Sequence, residues 1–186
     1  MELTKAAEAC VTQAHMQRIS AGVQENLCVE HVFFGILTLA RYLDAPLNEA
    51  GYREEGKEVR DLLSGSVRSI ACALEYLKND ASHPKTGYAD ASAVIGRAAE
   101  MAEHAGGDLT AMILAKAVLE SRTPAISAAC EAYDPSCAKE DAKYQNAPPK
   151  DDRIQPVEPS QKPVSPESKE KSGPTTSQLG ALLALL

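Results

Sequence analysis

The chain has 186 residues, a formal net charge of -7 at neutral pH, and 44% hydrophobic but only 4% aromatic residues, with no Trp. That length suits one ordinary domain, or a domain with a tail, at ~100–200 residues per domain. The acidic balance and the lack of a Lys/Arg-rich run exclude an ordinary nucleic-acid binder, and no stretch reaches the ~18 apolar residues of a membrane span.

The core must be aliphatic, and its Ala and Leu content suits close-packed helices. The spacing of Ala7, Cys10, Val11, Ala14 and Arg18 predicts a first helix from about Lys5 to Ile19, with Thr4 as N-cap. A polar connection with Gly22 follows. A second helix starts near Glu30 and carries Val32, Phe33, Ile36, Leu37 and Ala40; Glu30 in its first turn suits the positive end of the helix dipole. A short third helix is expected between Asp44 and Ala50, with Pro46 in its first turn and Gly51 as its stop. Val59, Leu62, Leu63, Val67, Ile70, Leu74 and Leu77 then keep helical period from about Glu54 to Lys78, interrupted only by Gly65.

Asn79 to Gly87, containing Pro84, reads as a connection. The next helix, about Ala89 to His104, carries Ala91, Val94, Ile95, Ala98 and Ala102 and is broken by Gly106-Gly107. Asp108 or Thr110 caps a helix with Ile113, Leu114, Ala117 and Val118. Thr123 and Pro124 are the N-cap and first residue of another, with Ile126, Ala129, Cys130 and Tyr133 on its apolar side. Asp134-Pro135 ends it, and Cys137 to Tyr144 makes a last turn or two. From 147 to 178 the chain is polar and dense in Pro, a flexible and partly extended linker. Residues 179–186 form a short apolar end. The expected fold class is therefore all-α over residues 1–146, followed by linker and end segment.

Five cysteines, Cys10, Cys28, Cys72, Cys130 and Cys137, include no C-x-x-C pair. The odd number, the absence of a basic then apolar leader at the N-terminus, and the placement of three on apolar faces suggest free thiols in a reducing, cytoplasmic setting. Cys130 and Cys137 could also pair across a turn.

The helices repeat. Val11 to Ala14 matches Ile95 to Ala98 at a spacing of 84, and His31 to Leu37 matches Met112 to Val118 at a spacing of 81. A doubled helix–loop–helix unit implies a pseudo-twofold bundle of two four-helix repeats. Leu3-Thr4, the Ala-stepped helix, and Leu27-Cys28-Val29-Glu30-His31-Val32-Phe33-Phe34-Gly35-Ile36-Leu37 together resemble the first half of the doubled N-terminal domain of Clp-type AAA+ unfoldases. The resemblance covers about residues 2 to 145. It departs from the family at Val29, where a Thr is common. In the second half the Glu-His positions hold Ala111 and Met112, and the position of Thr4 holds Tyr88.

The resemblance implies a module that binds substrate or adaptor proteins for an ATP-dependent unfoldase or protease. Some members of the family recognise phosphorylated arginine. Carried over, that implicates Thr4 and Glu30, a carboxylate for a guanidinium-type group beside a hydroxyl-capped helix start for phosphate; the wider set nominated for a ligand or adaptor is Thr4, Val29, Glu30 and His31. The plainer reading of the same residues is that Thr4 and Glu30 cap their own helices and His31 packs between the repeats. A groove between the repeats is expected to take the protein partner.

No phosphate-binding loop is present, since Gly56-Lys57-Glu58 lacks the earlier Gly and the hydroxyl. No zinc spacing occurs either, and His15, His31, His83 and His104 are scattered. The expectation is a non-enzymatic segment without cofactor or metal. Its partners are proteins, with the ATPase module of the same chain as one candidate; a free-standing regulator of a Clp motor is the alternative.

Overall fold

A computed structural model of the chain describes residues 2–22, 26–41, 50–81 and 90–145; for 50–52, 80–81 and 142–145 the description is of backbone alone. The helix expected over 44–50, His83, Tyr88, the linker over 147–178 and the apolar end lie outside these residues, apart from Ala50 itself. Met1–Asn146 form one compact unit, and the described part of it is all-α. Its helices are α1 (Lys5–Ser20), α2 (Val29–Arg41), α3 (Ala50–Ser64), α4 (Ile70–Ala81), α5 (Ala91–Ala105), α6 (Ala111–Ser121), α7 (Pro124–Glu131) and α8 (Pro135–Gln145).

Most starts follow from capping chemistry. Thr4, Asp90, Thr110 and Thr123 each accept a backbone N–H of the first turn of α1, α5, α6 and α7, and Pro124 opens α7. Gly106 closes α5 in the left-handed region. Two expectations are corrected. Gly51 takes helical backbone inside α3 and stops nothing. The long helix over 54–78 is two helices, α3 and α4, broken after Ser64. Gly65 and Ser66 turn on bonds from their N–H groups to Leu62 and Leu63 carbonyls, and the Ser69 hydroxyl accepts the Cys72 N–H to start α4. Helical period persists across the break because Val59, Leu63, Val67, Leu74 and Leu77 are all buried in one core.

At the centre lies α2. Ten of its residues are buried, including Val29, Val32, Phe33, Gly35, Ile36 and Leu37, and it packs against α1, α3, α4, α5, α6 and α7. The antiparallel hairpin α1–α2 is tight because Gly35 lies against the α1 backbone at Cys10 and Ala14. The repeat is visible in burial: Ala7, Cys10 and Ala14 of α1 correspond at spacing 84 to Ala91, Val94 and Ala98 of α5, and all are buried.

The halves join crosswise. Leu3, ahead of α1, bridges Leu109, ahead of α6; Cys28, ahead of α2, bridges Asp90, ahead of α5. Three backbone bonds hold these junctions: Thr4 N–H to Leu109 O at 3.1 Å, Leu109 N–H to Glu2 O at 2.9 Å, and Ala91 N–H to Leu27 O at 2.9 Å. The pseudo-twofold thus exchanges the pair α1/α6 with the pair α5/α2. It breaks at the end of the chain, where α4 packs closely on α2 but its counterpart α8 packs chiefly on α4 rather than on α6.

Candidate functional site

The four nominated residues fall at two different junctions. Thr4 sits where α1 meets α6. Glu30 and His31 sit about 24 Å of helix away, at the other end of α1, since a 16-residue helix rises 1.5 Å per residue. A single site containing both Thr4 and Glu30 is therefore not formed.

At the first junction, the Thr4 hydroxyl accepts the Ala7 N–H at 3.3 Å and donates to Glu55 Oε1 at 3.0 Å. The same carboxylate oxygen accepts the N–H of Ala111, the first residue of α6. Glu55 comes from α3, so one side chain ties three helices and sets a negative charge on the positive end of α6. It supplies what the second half lacks at Ala111, the position equivalent to Glu30. The sequence contained Glu55 in plain view, but nothing local marks it, because its partners are 51 and 56 residues away.

This ties the repeats by a measurable amount. Glu55→Ala should cost about 1–2 kcal/mol in urea unfolding, through the lost cap and hydroxyl bond. Glu55→Gln, which keeps an acceptor oxygen, should restore most of it; equal losses in the two variants would show that charge rather than hydrogen bonding is what matters there.

At the second junction, Glu30 is 6% exposed. Its Oε1 accepts the Thr123 hydroxyl at 3.3 Å, and that hydroxyl in turn accepts the Ile126 N–H as the N-cap of α7. A residue of the first half thus serves a helix of the second. Val29 is 1% exposed and wholly core. His31 is 2% exposed, and its Nδ1 accepts the Cys28 N–H at 3.2 Å. Burial first, then the nearby Arg18 and His15, lower its pKa to about 4, so the ring is neutral at physiological pH. Glu30 thus serves the start of α7 rather than of its own helix, His31 serves the start of α2 rather than packing between the repeats, and Val29 is core.

Two concave surfaces are formed by described residues alone. One cavity of about 130 Å³ lies between the end of α2, α3, the start of α4 and α8, and is lined by Arg41, Arg60, Arg68, Ser64, Ser69 and Asp141. Its charges serve helix ends. Arg60 donates to the Ala40 and Arg41 carbonyls at 2.7 and 3.1 Å, closing the negative end of α2. Asp141 accepts the Ala71 N–H at 3.0 Å and the Ser69 hydroxyl at 2.6 Å at the positive end of α4. Arg41 pairs with Glu140, and Arg68 lies 4.6 Å over the Tyr133 ring.

The second is an open groove of about 870 Å³. Ser66 from the first half forms one wall; Leu119, Arg122, Ile126, Ser127 and Cys130 from the second form the other. Arg122 closes α6 at φ 46°, a left-handed conformation uncommon outside glycine, and turns the chain sharply into α7. Among the described residues no group of three or more His, Cys, Asp or Glu is placed to hold a metal ion, and no helix is long and apolar enough to cross a membrane. Comparison with family models, curated proteins and solved structures gives no match.

Proposed function

We propose that the helical unit is a protein-binding module, receiving extended segments of substrate or adaptor proteins for a Clp-type unfolding or degradation machine. The observation that carries this reading is the groove between α6, α7 and the Ser66 turn. It is wide, spans both repeats, and mixes the side chains of Leu119 and Cys130 with hydroxyls and charges at its edges. The Leu27 to Leu37 motif supports the machine context. The partner chemistry that fits is a segment with alternating apolar and basic residues, since Glu120 and Glu131 flank the groove and the chain is acidic overall. Phosphoarginine is the weaker ligand, because Thr4 and Glu30 lie apart and each is bonded within a helix start.

Ser127 is exposed in the groove. Ser127→Trp should fill it without touching the core and weaken binding of a fluorescent unfolded polypeptide by at least about fivefold, the equivalent of ~1 kcal/mol. Thr12→Trp, on the exposed face of α1, serves as control. Equal affinities for the two variants would move the site elsewhere, and no saturable binding by the wild type would end the proposal.

A further inference from the structure

We infer that Cys72 and Cys137 form a redox modification site, a thiol pair that closes to a disulfide between the two repeats. The near neighbours in sequence, Cys130 and Cys137, are not the pair the fold selects. Cys130 stands on α7, where its carbonyl accepts the Arg68 N–H at 2.9 Å. Cys137 is in the first turn of α8, three residues after Asp134, whose backbone N–H and carbonyl both lie against the sulfur of Cys72 on α4. Cys72 is fixed from the same side: its Sγ accepts the Asp134 N–H at 3.3 Å and lies 3.5 Å from the Asp134 carbonyl. Asp134 is itself locked as the start of α8, with its carboxylate accepting the Ser136 N–H at 2.7 Å. The backbone that carries Cys137 is thus seated on the Cys72 sulfur.

All five cysteines are unbridged in this structure. Cys72 is buried and Cys137 half-buried, which makes Cys137 the sulfur a small oxidant reaches first. With a low-molecular-weight disulfide as oxidant, the Cys137 thiolate attacks one oxidant sulfur and expels the first small thiolate. The Cys72 thiolate then attacks the Cys137 sulfur of the mixed disulfide and expels the second. One S–S bond forms in the protein, one breaks in the oxidant, and the oxidant takes up the two electrons and the two thiol protons as two small thiols.

The neighbourhood sets the rate. Burial, the Cys72 thiol, and the carboxylates of Glu140 on α8 and Glu75 on α4 hold Cys137 protonated, with a pKa pushed up to about 11. Only the thiolate attacks, so closure is slow at neutral pH and quickens about tenfold per pH unit above it until the thiol titrates. The pair is therefore silent in a reducing compartment and responds to sustained oxidation. Once closed, it braces α4 of the first repeat to α8 of the second.

The test uses the full chain, incubated with oxidised glutathione between pH 7 and 9 and quenched in acid. The expected product is two hydrogen masses lighter, with the Cys72 and Cys137 peptides joined in a non-reducing digest. It should form in Cys130→Ser, fail in Cys137→Ser, and raise the melting temperature by several degrees, reversibly on reduction. A Cys130–Cys137 linkage, or only mixed disulfides with glutathione under all these conditions, would overturn the assignment.

Discussion

Gly35→Ala should be among the most damaging single substitutions in the domain, although it adds one methyl group and improves helix propensity. A Cβ at residue 35 would lie 2.1 Å from the Cys10 carbonyl oxygen, 2.9 Å from its carbon and 3.3 Å from the Ala14 nitrogen. These are backbone atoms of a neighbouring helix, so no rotamer change relieves the overlap. The α1–α2 hairpin must open, and the buried faces around Cys10, Ala14 and Ile36 separate with it. Ala gains up to ~1 kcal/mol over Gly within a helix, but overpacking against rigid backbone at a central helix costs more. We expect a net loss of ~3 kcal/mol, a large share of the 5–15 kcal/mol typical of a whole domain. Gly96→Ala is the internal control: it lies in α5 with nothing within 4 Å of the added carbon, and should be neutral or stabilising by up to ~1 kcal/mol. Denaturant midpoints of the two variants, measured beside the wild type, decide it. A Gly35→Ala protein as stable as Gly96→Ala would mean that the hairpin is looser than these distances require.

That contrast also shows which parts of the fold can be read from the chain. Helix spans and caps at Thr4, Thr110, Thr123 and Gly106 are local properties, written in residues one to four positions apart, and they appear where spacing and capping chemistry place them. The crosswise joining of the repeats is not local. Matching Thr4 to Tyr88 by register locates a repeat, yet the N-cap in the second half is Asp90, because α5 opens two residues later in that register. The break between α3 and α4 was masked by a period that both helices share. Its signal, Gly65-Ser66 followed by Ser69, was present, but its decisive partner is Asp141, 72 residues on.

The candidate site is the least legible part. Thr4, Glu30 and His31 attract attention because polar residues recur at helix starts, and a polar residue at a helix start serves capping and ligand binding with the same atoms. Sequence places them in one motif; three dimensions divide them between two junctions, where Thr4 meets Glu55 of its own repeat, which reaches on to Ala111 of the other, Glu30 meets Thr123 of the other repeat, and His31 meets Cys28 at the start of its own helix. The groove at Ser66 and Ser127 has no motif at all, since it is made by the shape of a turn and the left-handed close of α6.

Acid should weaken the domain through His31 well before its carboxylates titrate. Residue 28 is the N-cap position of α2 and residue 31 its third residue, so the imidazole does what Glu or Gln does in a capping box, accepting the Cys28 N–H on Nδ1 at 3.2 Å. The neutral ring then carries its proton on Nε2. Protonation at Nδ1 would place a charge in the buried core, beside Arg18 and His15, which is why the folded pKa lies near 4, and it would abolish that bond. The unfolded chain binds this proton near pH 6.5. Because the folded value is depressed, the contribution is fully present above pH 6.5 and is lost progressively as pH falls towards 4, where it amounts to ~3 kcal/mol. His15, also lowered by burial and by Arg18, adds a smaller loss of the same sign over the upper part of that window. His31→Gln keeps a capping acceptor and removes the titration. Urea unfolding from pH 7.5 to 4.5 should therefore show a steep fall for the wild type and for His15→Gln, and a much flatter curve for His31→Gln. Parallel curves for the wild type and His31→Gln would place the acid sensitivity in the carboxylates and remove His31 from the account.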